Sequence, residues 1–139
     1  MTTVSDILRS KPSAAVYTIG PAAPVIDALR LMAEKNIGAL VVVDNDAVVG
    51  IVSERDHVRK MALMQRLPHE TPLRDIMATA VMFVRPDQSS EQCMALMTEN
   101  RLRHLPVMQD DTLVGLISIG DLVKDIISVQ KFIIDPLGH

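Results

Sequence analysis

The sequence predicts an α/β (α+β) protein made of two β-α-β-β-α units packed through their sheets. Three observations predict it. The chain matches itself at a shift of 65 with no gaps: residues 25–61 superpose on 90–126 with eleven of 37 positions identical, among them Leu40/Leu105, Gly50/Gly115, Ser53/Ser118 and Asp56/Asp121. Each copy carries two apolar runs, β-branched in the first, around a short polar turn. Ahead of them, apolar residues recur at the i, i+3, i+4, i+7 spacing of one buried helix face. A sheet of about three strands is too small to stand alone, so the two copies are expected to pack face to face.

The elements follow in order. A short capped helix is expected around Ser5-Asp6-Ile7-Leu8 and again around Arg74-Asp75-Ile76-Met77, with four extra residues in the first copy. Next comes an extended segment, Val16-Tyr17-Thr18-Ile19 or Val81-Met82-Phe83-Val84, closed by Pro21 or Pro86. A helix follows with Val25, Ala28, Leu29 and Met32 on its apolar face, matched by Cys93, Met94 and Met97. Leu40-Val41-Val42-Val43 and Val48-Val49-Gly50-Ile51-Val52 flank Asp44-Asn45-Asp46, which reads as a hairpin turn, and Gln109-Asp110-Asp111 is its counterpart. A last helix begins at Ser53 or Ser118. The first repeat with its N-terminal helix is thus expected over 1–67 and the second over 72–130. In the tail, 131–139, Phe132, Ile133 and Ile134 favour a helix that Asp135-Pro136 should stop.

Composition narrows the function. The length of 139 residues is about one domain, and 48% of residues are hydrophobic but only 2% aromatic. Tyr17, Phe83 and Phe132 cannot supply the stacking platforms that single-stranded nucleic acid requires. A formal charge of −3 and a pI near 5.7 argue against phosphate backbones as partners. A single cysteine, Cys93, allows no intramolecular disulfide. There is no basic, apolar leader at the N-terminus and no apolar run near the ~20 residues of a membrane helix, so a soluble, cytoplasmic protein is expected, with neither nucleic acid nor membrane as partner.

The chemistry concentrates in Gly50-Ile51-Val52-Ser53-Glu54-Arg55-Asp56 and Gly115-Leu116-Ile117-Ser118-Ile119-Gly120-Asp121. Ser-x-x-Asp directly after a strand has the form of a capping box, worth ~1 kcal/mol to the helix it starts. The same place offers unpaired helix N–H groups to a phosphate, and a carboxylate there suits a ribose diol better than an anion. Both roles are compatible. His57, His69, His139 and Cys93 form no metal-ligand spacing, and Asp44-Asn45-Asp46 lacks the calcium-loop glycine and bidentate acid, so no metal is expected. Cys93 sits among Met94 and Met97 as packing rather than as a nucleophile.

At these residues the chain resembles the tandem CBS (cystathionine-β-synthase) domain pair, or Bateman module, of the stand-alone bacterial type. The carriers are Ile37-Gly38-Ala39-Leu40-Val41-Val42-Val43-Asp44, Arg103-His104-Leu105-Pro106-Val107 and the two Gly-x-x-Ser-x-x-Asp segments. The resemblance implies two units related by a pseudo-twofold axis, clefts for adenine nucleotides such as AMP, ATP or NAD, and assembly into homodimers. It gives Ser53 and Asp56 the phosphate or ribose and the ribose diol of one cleft, and Ser118 and Asp121 the same in the other. Val16 and Tyr17, or Val81 and Met82, would line the adenine; Thr79 would lie near the nucleotide. Ile37, Ile51 and Val16 would supply aliphatic walls, and Ile117 is expected among the nucleotide-binding residues. Residues before the second strand would reach the phosphate from the opposite copy, Arg103-His104 in one case and Gly38-Ala39 in the other, so the Asp56 cleft is expected to be the more cationic. Arg55 could add charge there.

The expectation is an adenine-nucleotide sensor without enzymatic activity or catalytic cofactor, acting on a target protein or through its dimer. A structural interaction module without ligand and a weak nucleotide-processing enzyme are the competing readings.

Overall fold

The computed structural model describes residues 2–12 and 15–134, with side chains at all of these except 56–58 and 128–134. The chain divides into two compact units, one formed by residues 16–81 and the other by 1–15 together with 82–139.

In the 16–81 unit, β1 (Thr18–Ile19), β2 (Ala39–Asp44) and β3 (Ala47–Ser53) form a sheet of order β1-β2-β3. β1 runs parallel to β2, and β2 antiparallel to β3. Asn45 and Asp46, at φ 51° and 64°, make the two-residue turn between β2 and β3; positive φ at both positions matches the right-handed twist of the strands. Helix α2 (Val25–Lys35) turns Val25, Ala28 and Met32 onto Leu40, Val42 and Val52, all buried. It stops where Asn36 takes the left-handed conformation, φ 54°, which asparagine tolerates. Helix α3 (Glu54–Met64) adds Met61 to this core.

The other unit repeats the plan. Helix α4 (Ser90–Asn100) has a capping box between Ser89 and Gln92 and buries Cys93 and Met97. Strands β4 (His104–Gln109) and β5 (Thr112–Ser118) pair antiparallel around Asp110 and Asp111, at φ 51° and 63°. Helix α5 (Ile119–Ile134) follows, its last residue directly before Asp135-Pro136; residues 135–139 lie outside the described residues.

Two sequence expectations change. The extended segment 81–84 forms no full strand: Val84 alone pairs with Val107, donating to Pro106 O and accepting from Met108 N. In the first copy Thr18 pairs with Val41, whose counterpart is Pro106; a proline has no N–H to close the second bridge. The short helix expected at 74–77 is one 3-10 turn, Leu73–Asp75, because Pro72 stands at its cap and offers no side-chain acceptor. Its counterpart α1 (Val4–Ser10) is a true helix, capped reciprocally by Thr3 and Asp6.

The leader of each repeat completes the core of the unit that contains the other repeat's body. Val4 and Ile7 of α1 are buried with Leu105, Val107 and Ile117, while Leu73 and Ile76 are buried with Leu40, Val42 and Val52. The docking bonds correspond one for one. Val4 N donates to Gln88 O and Ser5 N to Pro86 O; Leu73 N donates to Ala23 O and Arg74 N to Pro21 O. The sequence repeats therefore run along the chain, and the compact units cut across them. Among the described residues no helix is long and apolar enough to cross a membrane.

Gly50 and Gly115 lie where the leaders press on the sheets. A Cβ at Gly50 would meet Met77 Sδ at 2.7 Å and the backbone Ala78 O at 2.9 Å; at Gly115 the three nearest atoms all belong to the Leu8 side chain, the first at 2.6 Å. Gly50→Ala is expected to destabilise by about 1–3 kcal/mol, the usual cost of overpacking. Gly115→Ala is expected to cost less, because Leu8 can turn away and a backbone carbonyl cannot; urea unfolding of the two variants checks the order.

Candidate functional site

In both units a strand runs straight into a helix, β3 into α3 at Ser53 and β5 into α5 at Ser118. The first helical amide is drawn back by the residue before the neighbouring strand: Glu54 N donates to Gly38 O at 3.2 Å and Ile119 N to Arg103 O at 2.8 Å. Strand register then sets Ala39 opposite Ser53 and His104 opposite Ser118. Gly38, Ala39 and Ser53 are thus gathered at one junction, and Arg103, His104 and Ser118 at the other. His104 and Ser118 are half-buried and Arg103 is exposed.

At the α5 junction the capping box is complete. Ser118 N donates to Asp121 Oδ2 at 2.9 Å, and Asp121 N donates to Ser118 Oγ at 3.1 Å. The same Oδ2 receives Lys11 Nζ at 3.0 Å, and that ammonium also donates to Leu116 O at 2.8 Å. Burial by itself would push the Asp121 carboxyl up; the Ser118 amide and the Lys11 ammonium outweigh it and hold the group below the usual carboxylate range.

The sequence reasoning missed Lys11. The signal was the four-residue excess after the first leader, which reads as slack but carries a cation where the second leader has only Ala78, Thr79 and Ala80. The cation count expected from Arg103-His104 alone is therefore incomplete, since the Asp121 junction has a positive charge of its own.

At the α3 junction Ser53 is half-buried and Arg55 exposed, while the Asp56 side chain lies outside the described residues. Ile51 is half-buried and exchanges backbone bonds with Ala78, at 3.0 and 2.9 Å, so exposed Thr79 follows along the free side of β3. Val16 and Tyr17, both half-buried, precede β1 at the opposite edge of the same sheet. Tyr17 packs on the core with Ile37, and Lys35 Nζ stands 5.4 Å from its ring centre. Val81 is half-buried and donates to Thr79 O. Met82 belongs to the unit of residues 1–15 and 82–139 and packs against that unit's own core.

Ile117, expected among the nucleotide-binding residues, is fully buried in the core with Leu105 and Leu122. Alternation along β5 turns it inward and gives the outward place to Leu116, the true counterpart of Ile51. Cys93 is buried, and burial pushes its thiol up, the opposite of nucleophile activation.

Ser118→Ala is expected to cost about 1 kcal/mol of stability, the usual worth of a lost cap. Asp121→Asn is expected to cost stability in a pH-dependent way. A carboxyl held below its unfolded value stabilises fully above about pH 4 and loses that contribution as pH falls through the depressed value. Urea midpoints of wild type and variant should therefore converge in acid and separate near neutrality.

Comparison with known proteins places the chain. The family model described as CBS domain matches residues 4–61 and again 73–128. A solved protein with CBS domains from Burkholderia ambifaria is 53% identical, with a TM-score of 0.89 over 93% of this chain and 96% of that one. The mitochondrial CBS domain-containing protein CBSX3 of Arabidopsis thaliana is 37% identical over 94% of this chain and 67% of its own length. The CBS domain pair of protein MJ0100, solved in complex with 5′-methylthioadenosine and S-adenosyl-L-methionine, shares the fold at a TM-score of 0.80 with 24% identity, over 93% of this chain and 98% of that one. With two domain matches covering most of its length and a fold shared with solved CBS proteins, the chain belongs to the CBS-domain family.

Proposed function

We propose that this chain is a regulatory module that binds an adenosine-containing nucleotide and passes its occupancy to a partner protein or to a second copy of itself. The observation that carries the reading is the Gly-x-x-Ser-x-x-Asp junction, present in both repeats at the start of a helix. Ser53 and Ser118 are assigned to phosphate or ribose, and Asp56 and Asp121 to the ribose diol. Val16, Tyr17, Val81 and Met82 are assigned to the base. The adenosine ligands in the MJ0100 complex support this class of ligand, with AMP, ATP and NAD as the candidates here. Regulation follows from differential affinity, since a ligand shifts an equilibrium between two arrangements only by the difference in its binding to them.

One observation favours a second reading. The Ser118–Asp121 capping box already satisfies both residues, so the motif could serve the helix alone, in a structural module without ligand. A thermal-shift panel of AMP, ADP, ATP, NAD and 5′-methylthioadenosine separates the two. A true ligand at 100 times its Kd is expected to stabilise the fold by ~2.7 kcal/mol. No shift with any compound overturns the nucleotide reading. Its 2′-deoxy analogue is expected to bind more weakly by roughly 1–3 kcal/mol, because a buried carboxylate loses its donor. Chromatography of the nucleotide after incubation should return it unchanged; a product would make the protein an enzyme.

The partner in this reading includes a second copy of the chain. Helix α5 leaves Ile119, Val123, Ile126 and Ile127 exposed in one stripe, 38% to 56% accessible. Sedimentation equilibrium is expected to give a dimer mass, and a monomer at every concentration would remove this part of the proposal.

A further inference from the structure

Lys11 and Asp121 are separated by 110 residues, yet their charged groups lie 3.0 Å apart with 28% and 16% of their side chains exposed. The ammonium is held at two points, the Asp121 carboxylate and the Leu116 carbonyl, so it is not a solvated surface cation. It arrives with the leader: α1 docks through Val4 and Ile7, and Lys11 at its C-cap anchors its own backbone by donating to Leu8 O. The oxygen it engages, Oδ2, is also the one that caps α5. The capping geometry itself needs no cation, because Ser118 already closes the box in both directions.

A ribose diol held by both oxygens of a carboxylate needs each of them as an acceptor, and Oδ2 already receives the Ser118 amide and the Lys11 ammonium. We propose that Lys11 is an internal occupant of the Asp121 carboxylate, a built-in competitor that a ribose diol must displace before this site fills. The first-repeat leader supplies this cation to the Asp121 junction; the second-repeat leader, with Ala78, Thr79 and Ala80 in the corresponding stretch, has no cation to supply. The Asp121 site is then a conditional one, filled at higher ligand concentration than its contacts alone would set. The inference rests on the nucleotide-binding reading above and concerns the regulation of that same site.

The test is titration calorimetry of the full chain with adenosine, which has the diol and no phosphate, and with 2′,3′-dideoxyadenosine, which lacks it. Lys11→Met is expected to bind adenosine about tenfold tighter, the size of one charge-assisted hydrogen bond released. Lys11→Arg, which keeps a cationic donor, should stay near wild type, and dideoxyadenosine should gain nothing. In an Asp121→Asn background, Lys11→Met should make no difference. Lys11→Gln serves as the second uncharged variant if the methionine form does not fold. Unchanged or weaker adenosine binding in the uncharged variants overturns the inference while leaving the nucleotide reading intact. Adenosine binding to none of the proteins, wild type included, overturns both.

Discussion

The contact on which the rest depends is the seating of each leader segment on the sheet formed by the other repeat's body. The sheets are small, three strands in one unit and two in the other, and neither buries both faces by itself. Val4 and Ile7, and Leu73 and Ile76, fill that deficit at the same three-residue spacing, and backbone bonds to residues 86 and 88 or to 21 and 23 fix the register. Gly50 and Gly115 are the price of the close approach. A side chain at either position would meet the incoming Met77 or Leu8.

That seating also builds the junctions. Beside β3 the leader's Ala78 pairs with Ile51, beside β5 Leu8 lies against Gly115, and each strand runs directly into its helix. The carbonyl before the neighbouring strand then takes the first helical amide. The two junctions are alike in backbone and differ in charge. At α5 the leader's C-terminal end delivers Lys11 to Asp121, while beside β3 the corresponding chain passes with Ala78 in backbone pairing with Ile51. The duplicated scaffold thus receives Lys11 at one junction, and that cation comes from the leader rather than from the repeated motif.

Under the proposed regulatory function this arrangement has a mechanical consequence. A residue of the leader touches the same carboxylate that caps the helix, so the state of that carboxylate bears on the packing of α1 and on the start of α5 together. Burial makes the coupling matter: at 16% exposure the Asp121 side chain is poorly screened by solvent, and its partner's presence or absence is felt.

Much of this was legible in the sequence. The shift of 65 locates the duplicated unit, because the residues that repeat, Gly50/Gly115 and Ser53/Ser118 among them, are those whose backbone or cap is used identically. Period-2 and 3.6-residue patterns locate the strands and helices, since local geometry dictates them. The hairpin turns follow from Asn45-Asp46 and Asp110-Asp111, residues that accept positive φ. The partner of each leader could not be read locally: Val4 and Leu73 are apolar in either pairing, and only the assembled core decides which sheet each covers. Ile117 and Leu116 are equally apolar, and the pleat alone sends one inward. Lys11 looks like any lysine in a spacer, and 110 residues of intervening chain separate it from its partner. The sequence by itself determined the repeat, the elements and the Ser-x-x-Asp junctions, because those rest on neighbours along the chain. Tertiary structure decided which leader completes which core and which junction receives a cation, because those contacts join residues that the sequence holds far apart.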